Sequence, residues 1–474
     1  SGVRTLVATT NLNDWDVFTT DYDNAYLQGT EWENSKWKLV KVKNPVSQVW
    51  EFYWQTGVIY GDQEGAKMWK DTNGGELVTE MGFTECENAQ SMYVNAELGI
   101  KMSVHVDDPL ICVSRHHPNY PKNGEEFFTK LNKRFKTKER TQLTTTTSID
   151  YLSMRLGAFE DGRMTLDNDA AVEKMVENWG LTGCNPTKRP LVKKTLKQMQ
   201  AEMDAGDVLA PAEITMYQKG IGELNWLEQT THPDLAPATS IMGSFCAHPP
   251  ASGLKAIKGA TRYIAGTTRR VLTPKDNTGR RTSSDSDWAG LYAVTRETRT
   301  RAGTVHTDHG MPTAWQSNLI GVVLSSGEGE SIAASDSCKL ALNMQYMAEE
   351  LGDQNTGVID IYVDATVAVA FANRTSGNGR MKHIDIRSDW VKRLRDADKV
   401  RLVKIPGESN PADFMTKILG AAEHQQWCDE HFVYLRGNKY AACEDQGGME
   451  KVVGPHRPNS QDCDMTGQRL TGKV

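Results

Sequence analysis

Met102-Ser103-Val104-His105-Val106, Asp107-Asp108-Pro109 and Leu110-Ile111-Cys112-Val113 read in succession as a strand, a tight turn and a second strand. Neighbouring residues inside a strand point to opposite faces, so paired aspartates there would diverge. At a β-turn joining two apolar strands they can crowd one spot, where they repel unless a cation neutralises them. Ile100, Val104, Val106, Leu110 and Ile111 make the support rigid and dry. An ordinary turn, in which Asp is common, and a metal-binding turn fit these residues equally well.

Working outward, a strand over residues 14–22 ends at Asp21, with Asp23 beside it. Many strands end in Asp, so this position alone says little. Three carboxylates on neighbouring strand ends would nevertheless hold two Mg2+ ions, an arrangement that activates a 3′-hydroxyl and stabilises a leaving pyrophosphate. Phe127, Phe128, Leu131 and Phe135 have helical spacing, and Asp161-Gly162 between short apolar runs marks a hairpin. Residues 167–270 are mainly helical, with apolar positions three and four apart over 171–179, 212–229 and 254–264. The polar stretch 276–281 reads as a linker, and a β-rich unit follows to about residue 419.

That unit carries acids at the ends of separate elements. Ser284-Asp285-Ser286-Asp287-Trp288 opens a strand, Glu328 and Glu330 open a long helix, Asp364 ends a short strand, and Asp413 opens the helical segment read over 411–419. Singly, each fits a helix cap or a solvated acid, since helix N-termini favour acids. As a set they suit a two-metal hydrolase with water as nucleophile. Basic residues cluster at 130–140, on the middle helices around Lys255, Lys258, Arg262, Arg269 and Arg270, and after Asp364 from Arg374 to Arg395. A charged helix face is commonly just solvated; three such clusters beside acid-rich segments also fit tracks for a phosphate backbone.

The 474 residues suggest about three domains. Hydrophobic residues make up 38% and glycines add 40 more, enough for packed cores. No run of about 18 apolar residues is present, which excludes a spanning helix, and no secretory leader is visible. The start at Ser1 suggests a piece of something longer. Eight scattered cysteines form no C-x-x-C pair, and reduced thiols in an intracellular protein are expected. A net charge of −7 taken alone argues mildly against nucleic acid.

At the acidic segments the chain resembles the reverse transcriptase and RNase H part of copia-type retrotransposon Pol polyproteins, over about residues 1–420. Asp21-Tyr22-Asp23-Asn24-Ala25-Tyr26-Leu27-Gln28-Gly29 resembles D-V-K-T-A-F-L-N-G; Ile59-Tyr60-Gly61 through Lys67-Met68-Trp69 resembles L-Y-G-L-K-Q-A-P-R-A-W; and Val104-His105-Val106-Asp107-Asp108 stands where the family has L-Y-V-D-D. In the middle, Met216-Tyr217-Gln218-Lys219-Gly220-Ile221-Gly222, Thr231-His232-Pro233-Asp234 and Arg262-Tyr263-Ile264-Ala265-Gly266-Thr267 resemble Y-R-S-L-V-G, T-R-P-D and R-Y-L-K-G-T. In the last third, Ser284-Asp285-Ser286-Asp287-Trp288-Ala289-Gly290, Leu324-Ser325-Ser326-Gly327-Glu328-Gly329-Glu330, Lys382-His383-Ile384-Asp385-Ile386 and Ala412-Asp413-Phe414-Met415-Thr416-Lys417 resemble S-D-A-D-W-A-G, L-S-S-T-E-A-E, K-H-I-D-I and A-D-x-x-T-K.

The resemblance implies a multidomain α+β and α/β fold: a palm with incomplete fingers over 1–157, a helical thumb-connection over 158–277, an RNase H-like mixed sheet with helices over 278–420, and a partly disordered tail over 421–474. It implies an RNA-directed DNA polymerase with metal-binding catalytic residues Asp21, Asp107 and Asp108. It implies a ribonuclease H whose set is Asp285, Glu330, Asp364 and Asp413, with Glu330 preferred to Glu328 because Ser331-Ile332-Ala333 follows it in helix register. Tyr60, Gly61, Lys67, Arg262, Arg380, Lys382 and His383 would contact nucleotide or nucleic acid. Two Mg2+ per site, replaceable by Mn2+, are the implied cofactors. RNA template, DNA primer, RNA–DNA hybrid and other Pol or Gag products are the implied partners, with no membrane. The implied location is cytoplasmic particles or the nucleus. This chain departs from the pattern at His105, at Gln63 and Glu64, and at Ala365 after the third RNase H aspartate. It also begins just before the first motif, where basic fingers would grip a triphosphate. A degenerate polymerase keeping only RNase H, and an inactive remnant that binds nucleic acid, are the alternatives.

Overall fold

The computed structural model describes residues 1–29, 31–33, 36–276, 278–354, 357–373, 382–435 and 450–451. The chain is a mixed α/β multidomain protein made of two compact units, Ser1–Met164 with Asn343–Thr356, and Thr165–Leu342 with Gly357–Val474.

In the first unit, β1 (Trp15–Thr19) is followed by a hairpin of β2 (Lys38–Lys43) and β3 (Trp50–Gln55), then by β4 (Thr84–Glu85), β5 (Met92–Asn95), β6 (Ile100–His105), β7 (Asp108–Ser114) and β8 (Thr141–Gln142). Six of these form one sheet in the order β4-β5-β6-β7-β1-β8, while β2 and β3 pair only with each other. The strand β7 carries a continuous apolar run, Pro109–Val113, as a strand buried on both faces does, whereas β6 alternates Ile100, Met102 and Val104 with Lys101, Ser103 and His105. One face is covered by the helix Lys122–Arg134, which presents buried Phe127, Phe128 and Leu131. These join Tyr22, Trp69, Met102, Ile111 and Phe135 in the core. The hairpin β9 (Ile149–Tyr151) and β10 (Met154–Ala158) completes the unit, and β11 (Met164–Asp167) leads out of it.

The second unit opens with helices Asp169–Asn178, Lys193–Ala205, Pro211–Thr230, Ala236–Gly243 and Gly253–Ile264. Their apolar stripes meet in one core around Trp179, Tyr217, Leu224, Ile257 and Tyr263. Gly220 lets two of these helices touch, because a Cβ there would sit 2.6 Å from the Trp179 ring and 2.7 Å from Ile257. After β12 (Arg270–Val271) comes a five-stranded sheet of β13 (Arg280–Ser286), β14 (Thr300–Asp308), β15 (Met311–Gly321), β16 (Ile359–Val363) and β17 (Val400–Lys404). Its order is β15-β14-β13-β16-β17. The first three strands are antiparallel, and β13, β16 and β17 run parallel. Helix Ser326–Glu350 links β15 to β16, and helices Thr366–Asn373 and Lys382–Asp396 link β16 to β17.

Residues 421–435, expected at the start of a tail, fold as helix Ala421–His431 and strand β18 (Val433–Leu435), which pairs with β12. The segment read as helical over 411–419 is helical only at Asp413–Thr416, since Pro411 and the extended Lys417 bound it. Arg374, Arg380 and most of the expected tail lie outside the described residues. No helix among the described residues is long and apolar enough to cross a membrane.

Candidate active sites

In the second unit the acids gather at the carboxyl ends of parallel strands. Asp285 lies near the end of β13, and Asp364 directly follows β16, whose Val363 pairs with Ser284. Glu330 comes from the first turns of helix Ser326–Glu350. One carboxylate oxygen from each of Asp285, Glu330 and Asp364 lies within 4.8 Å of the others. Glu328 is placed differently: its Oε2 accepts a 2.8 Å bond from the Leu324 amide, so it caps the helix. Asp413 stands beside the cluster, its Oδ1 2.6 Å from Lys417 Nζ, which is also 3.7 Å from Asp285 Oδ2. The Thr416 hydroxyl donates to Asp285 Oδ2. Thr416 and Lys417 were not among the expected site residues, although the A-D-x-x-T-K pattern contained both.

Close approach of Asp413–Thr416 to β13 and β14 depends on Gly303, the residue opposite Asp285. A Cβ at 303 would lie 2.6 Å from Met415 Cβ and 2.9 Å from the Ala412 carbonyl oxygen. Burial makes the gathered charges costly. Loss of hydration raises Asp285 to about 7, with Lys417 opposing the rise and Asp413 adding to it. Loss of hydration raises Glu330 to about 8, reinforced by Asp285 and Asp364. Oε2 of Glu330 is buried and accepts no hydrogen bond among the described residues. Three carboxylates this close, two of them resisting ionisation and one with an unfilled oxygen, fit a divalent cation of the Mg2+ or Mn2+ type.

In the first unit, Asp107 occupies the β6–β7 turn and Asp108 begins β7, pairing with His105. Val106 holds a left-handed φ of 53°, unfavourable for a β-branched residue, and its carbonyl accepts from Trp69 Nε1 at 2.5 Å. Asp21 follows β1; the Tyr22 amide donates to the Asp107 carbonyl at 2.9 Å, tying the two segments together. Burial raises Asp108, and the Asp107 and Asp21 charges add to the rise. The same two charges help raise Tyr60, after its own burial. Tyr60 also packs against Tyr26, with ring centroids 4.7 Å apart and planes tilted by 36°. Lys138 Nζ lies 2.6 Å from Asp21 Oδ2, and Lys136 Nζ 2.5 Å from Asp23. Among the described residues these three aspartates do not form a compact metal-type group as the second cluster does.

Of the other expected contact residues, Gly61 and Lys67 are exposed near Tyr60 in sequence. The Arg262 guanidinium is held by the Asn185 carbonyl at 2.9 and 3.1 Å. Lys382 and His383 open helix Lys382–Asp396.

The description "Reverse transcriptase (RNA-dependent DNA polymerase)" matches residues 1–193. The "Retrovirus-related Pol polyprotein from transposon TNT 1-94" of Nicotiana tabacum is 26% identical over 292 residues, covering 60% of this chain and 20% of that protein. Those from transposons RE1 and RE2 of Arabidopsis thaliana are each 25% identical, covering 91% and 90% of this chain and 28% of each relative. The chain therefore spans about a quarter of the length of these curated relatives.

Proposed function

Because the chain belongs to the copia-type retrotransposon Pol polyproteins, carrying their reverse transcriptase region and an RNase H-like domain, we propose that it processes RNA–DNA hybrids. Its principal reaction is hydrolysis of the RNA strand at Asp285, Glu330 and Asp364. The observation that carries this reading is the convergence of those three acids, one oxygen from each, within 4.8 Å. Bound Mg2+ would supply a water nucleophile at neutral pH and stabilise the leaving oxygen. The chain's own residues hold the oxygens. Thr416 orients Asp285 through its hydroxyl, Lys417 offsets part of the negative charge, and Asp413 stands ready to complete the set.

The second reaction is nucleotide addition to a primer at Asp21, Asp107 and Asp108. Its support is the strained turn at Val106 directly before Asp107, and the charge coupling of Asp108 to Asp107 and Asp21. In this reaction Lys138 must leave Asp21 before a cation can bind there. The ligands are RNA template, DNA primer and their hybrid, bound mainly through phosphates and 2′-hydroxyls because no sequence may be excluded.

The test uses a labelled hybrid and a primed RNA template in Mg2+. Asp364→Asn removes RNA cleavage and leaves extension; Asp107→Asn does the reverse. A protein that cuts the hybrid equally well with Asp364→Asn refutes the hydrolase assignment. A protein that extends no primer refutes the second reaction.

A further inference from the structure

The hairpin of β2 and β3 carries an unusual amount of exposed aromatic surface. Trp50, Phe52 and Trp54 are 55%, 65% and 61% exposed. The register pairs Leu39 with Trp54, Lys41 with Phe52 and Lys43 with Trp50. Directly paired residues share a face, so one side of the hairpin presents Trp50, Phe52 and Trp54 in a row beside Leu39, Lys41 and Lys43. Lys41 Nζ lies 5.1 Å from the Trp50 ring centroid and 5.8 Å from that of Phe52.

We propose that this face is a binding platform for single-stranded nucleic acid, with unpaired bases stacking on Trp50, Phe52 and Trp54 and phosphates meeting Lys41 and Lys43. Alternate residues on a strand are about 6.8 Å apart. That is twice the roughly 3.4 Å step of stacked bases, so each ring can take the place of a base in a splayed strand. A duplex hides its base faces and cannot use such a row. The charge is complementary: residues 36–55 hold four lysines against one glutamate, in a chain whose net charge is −7. A protein partner fits less well, because lysines within the aromatic row would be buried without counter-charges, and Lys is depleted at interface cores. Lysines on an exposed hairpin also oppose pairing with a second copy of the strand.

This inference rests on the proposed function only for the class of its ligand. The test is fluorescence anisotropy of the full chain with a labelled oligothymidylate, and in parallel with a blunt DNA duplex. Trp50→Ala, Phe52→Ala and Trp54→Ala, singly and together, should each weaken oligothymidylate binding roughly 5- to 100-fold while leaving duplex binding unchanged. All three side chains are exposed, so melting temperatures should stay at the wild-type value. Lys41→Gln with Lys43→Gln should lower the slope of log affinity against log salt by about 1.4. Unchanged oligothymidylate affinity in the triple variant overturns the platform, as does a wild-type chain that binds no single strand. A wild-type dimer that the triple variant dissociates, with single-strand affinity intact, also overturns it and assigns the face to a second copy. Hybrid cleavage separates the two readings. Cleavage with ring-independent single-strand binding refutes the platform alone; ring-dependent binding without cleavage refutes the proposed hydrolase alone.

Discussion

Adding Mg2+ to the metal-free protein should expel protons, because the acids that would receive it hold them at neutral pH. Glu330 is raised to about 8 and Asp285 to about 7. At pH 7 they carry about 0.9 and 0.5 of a proton respectively, so a cation that needs both ionised releases about 1.4 protons. Proton competition weakens apparent affinity about 20-fold at pH 7 and about 1,000-fold at pH 6, but only about twofold at pH 8. Calorimetry in buffers of different ionisation enthalpy measures the release, and repeating it across pH measures the affinity. Release of fewer than about 0.3 protons at pH 7, with affinity flat from pH 6 to 8, would show that Glu330 and Asp285 are not the protonated acids that receive the cation. The sign for stability follows from the same values. Between the ordinary carboxylate range and pH 8 the folded metal-free state holds more protons than the unfolded chain. Its contribution from these groups is therefore full only below about pH 4, declines steadily as pH rises from there and is gone above pH 8, and Mg2+ should offset the loss.

Three further outcomes test the framework around the sites. Arg270→Met should destabilise the second unit by about 3–5 kcal/mol in urea melts, because it strands a buried aspartate; the Arg270–Asp234 pair is 2.6 Å long with both side chains at most 2% exposed. Gly303→Ala should cost about 1–3 kcal/mol by overpacking. It should also weaken Mg2+ binding, because the new methyl pushes Asp413–Thr416 off β14; an unchanged Mg2+ isotherm would show that this approach does not shape the cluster. Gly220→Ala should lower the melting temperature by forcing the helices apart at Trp179 and Ile257, with Mg2+ binding unaffected.

Much of the secondary structure was legible because its signals are local. The two strands around 102–113 stand as read, but the turn between them is Val106-Asp107 and not Asp107-Asp108-Pro109, because Asp108 and Pro109 already pair with His105 and Val104; Gly162 adopts the left-handed φ of 84° that the Asp161-Gly162 hairpin needs. Helices read over 171–179, 212–229 and 254–264 occur at Asp169–Asn178, Pro211–Thr230 and Gly253–Ile264. The helix at Ala421–His431 was obscured because its buried residues are His424, Trp427, Cys428, Asp429 and His431, three of which count as polar in any hydropathy pattern. Burial pushes both histidines down to about 4, so each packs as a neutral ring. The hairpin of β2 and β3 drew no expectation, since its alternation of Lys with apolar residues has no buried face to decode.

The acidic set was visible in sequence as separate element ends, but convergence is a property of strand order. Parallel pairing of β13 with β16 brings Asp285 to Asp364, and nothing local to either residue reveals it. Likewise, the distinction between Glu328 as a cap and Glu330 as a cluster member depends on which carboxylate turns inward. Lys417 and Thr416 lay inside a recognisable motif, yet their roles needed the turn that returns Asp413 to Asp285.

Hydrolysis of RNA paired to DNA is the reaction proposed for this chain. Its most direct measurement is the cleavage rate of the RNA strand of a labelled hybrid in Mg2+, for the wild-type chain beside Asp364→Asn. The expected result is cleavage by the wild-type chain, no cleavage of the same RNA unpaired, and a loss of at least about a hundredfold in the variant. Equal cleavage by the two proteins, or none by the wild-type chain with Mg2+ bound, would contradict it.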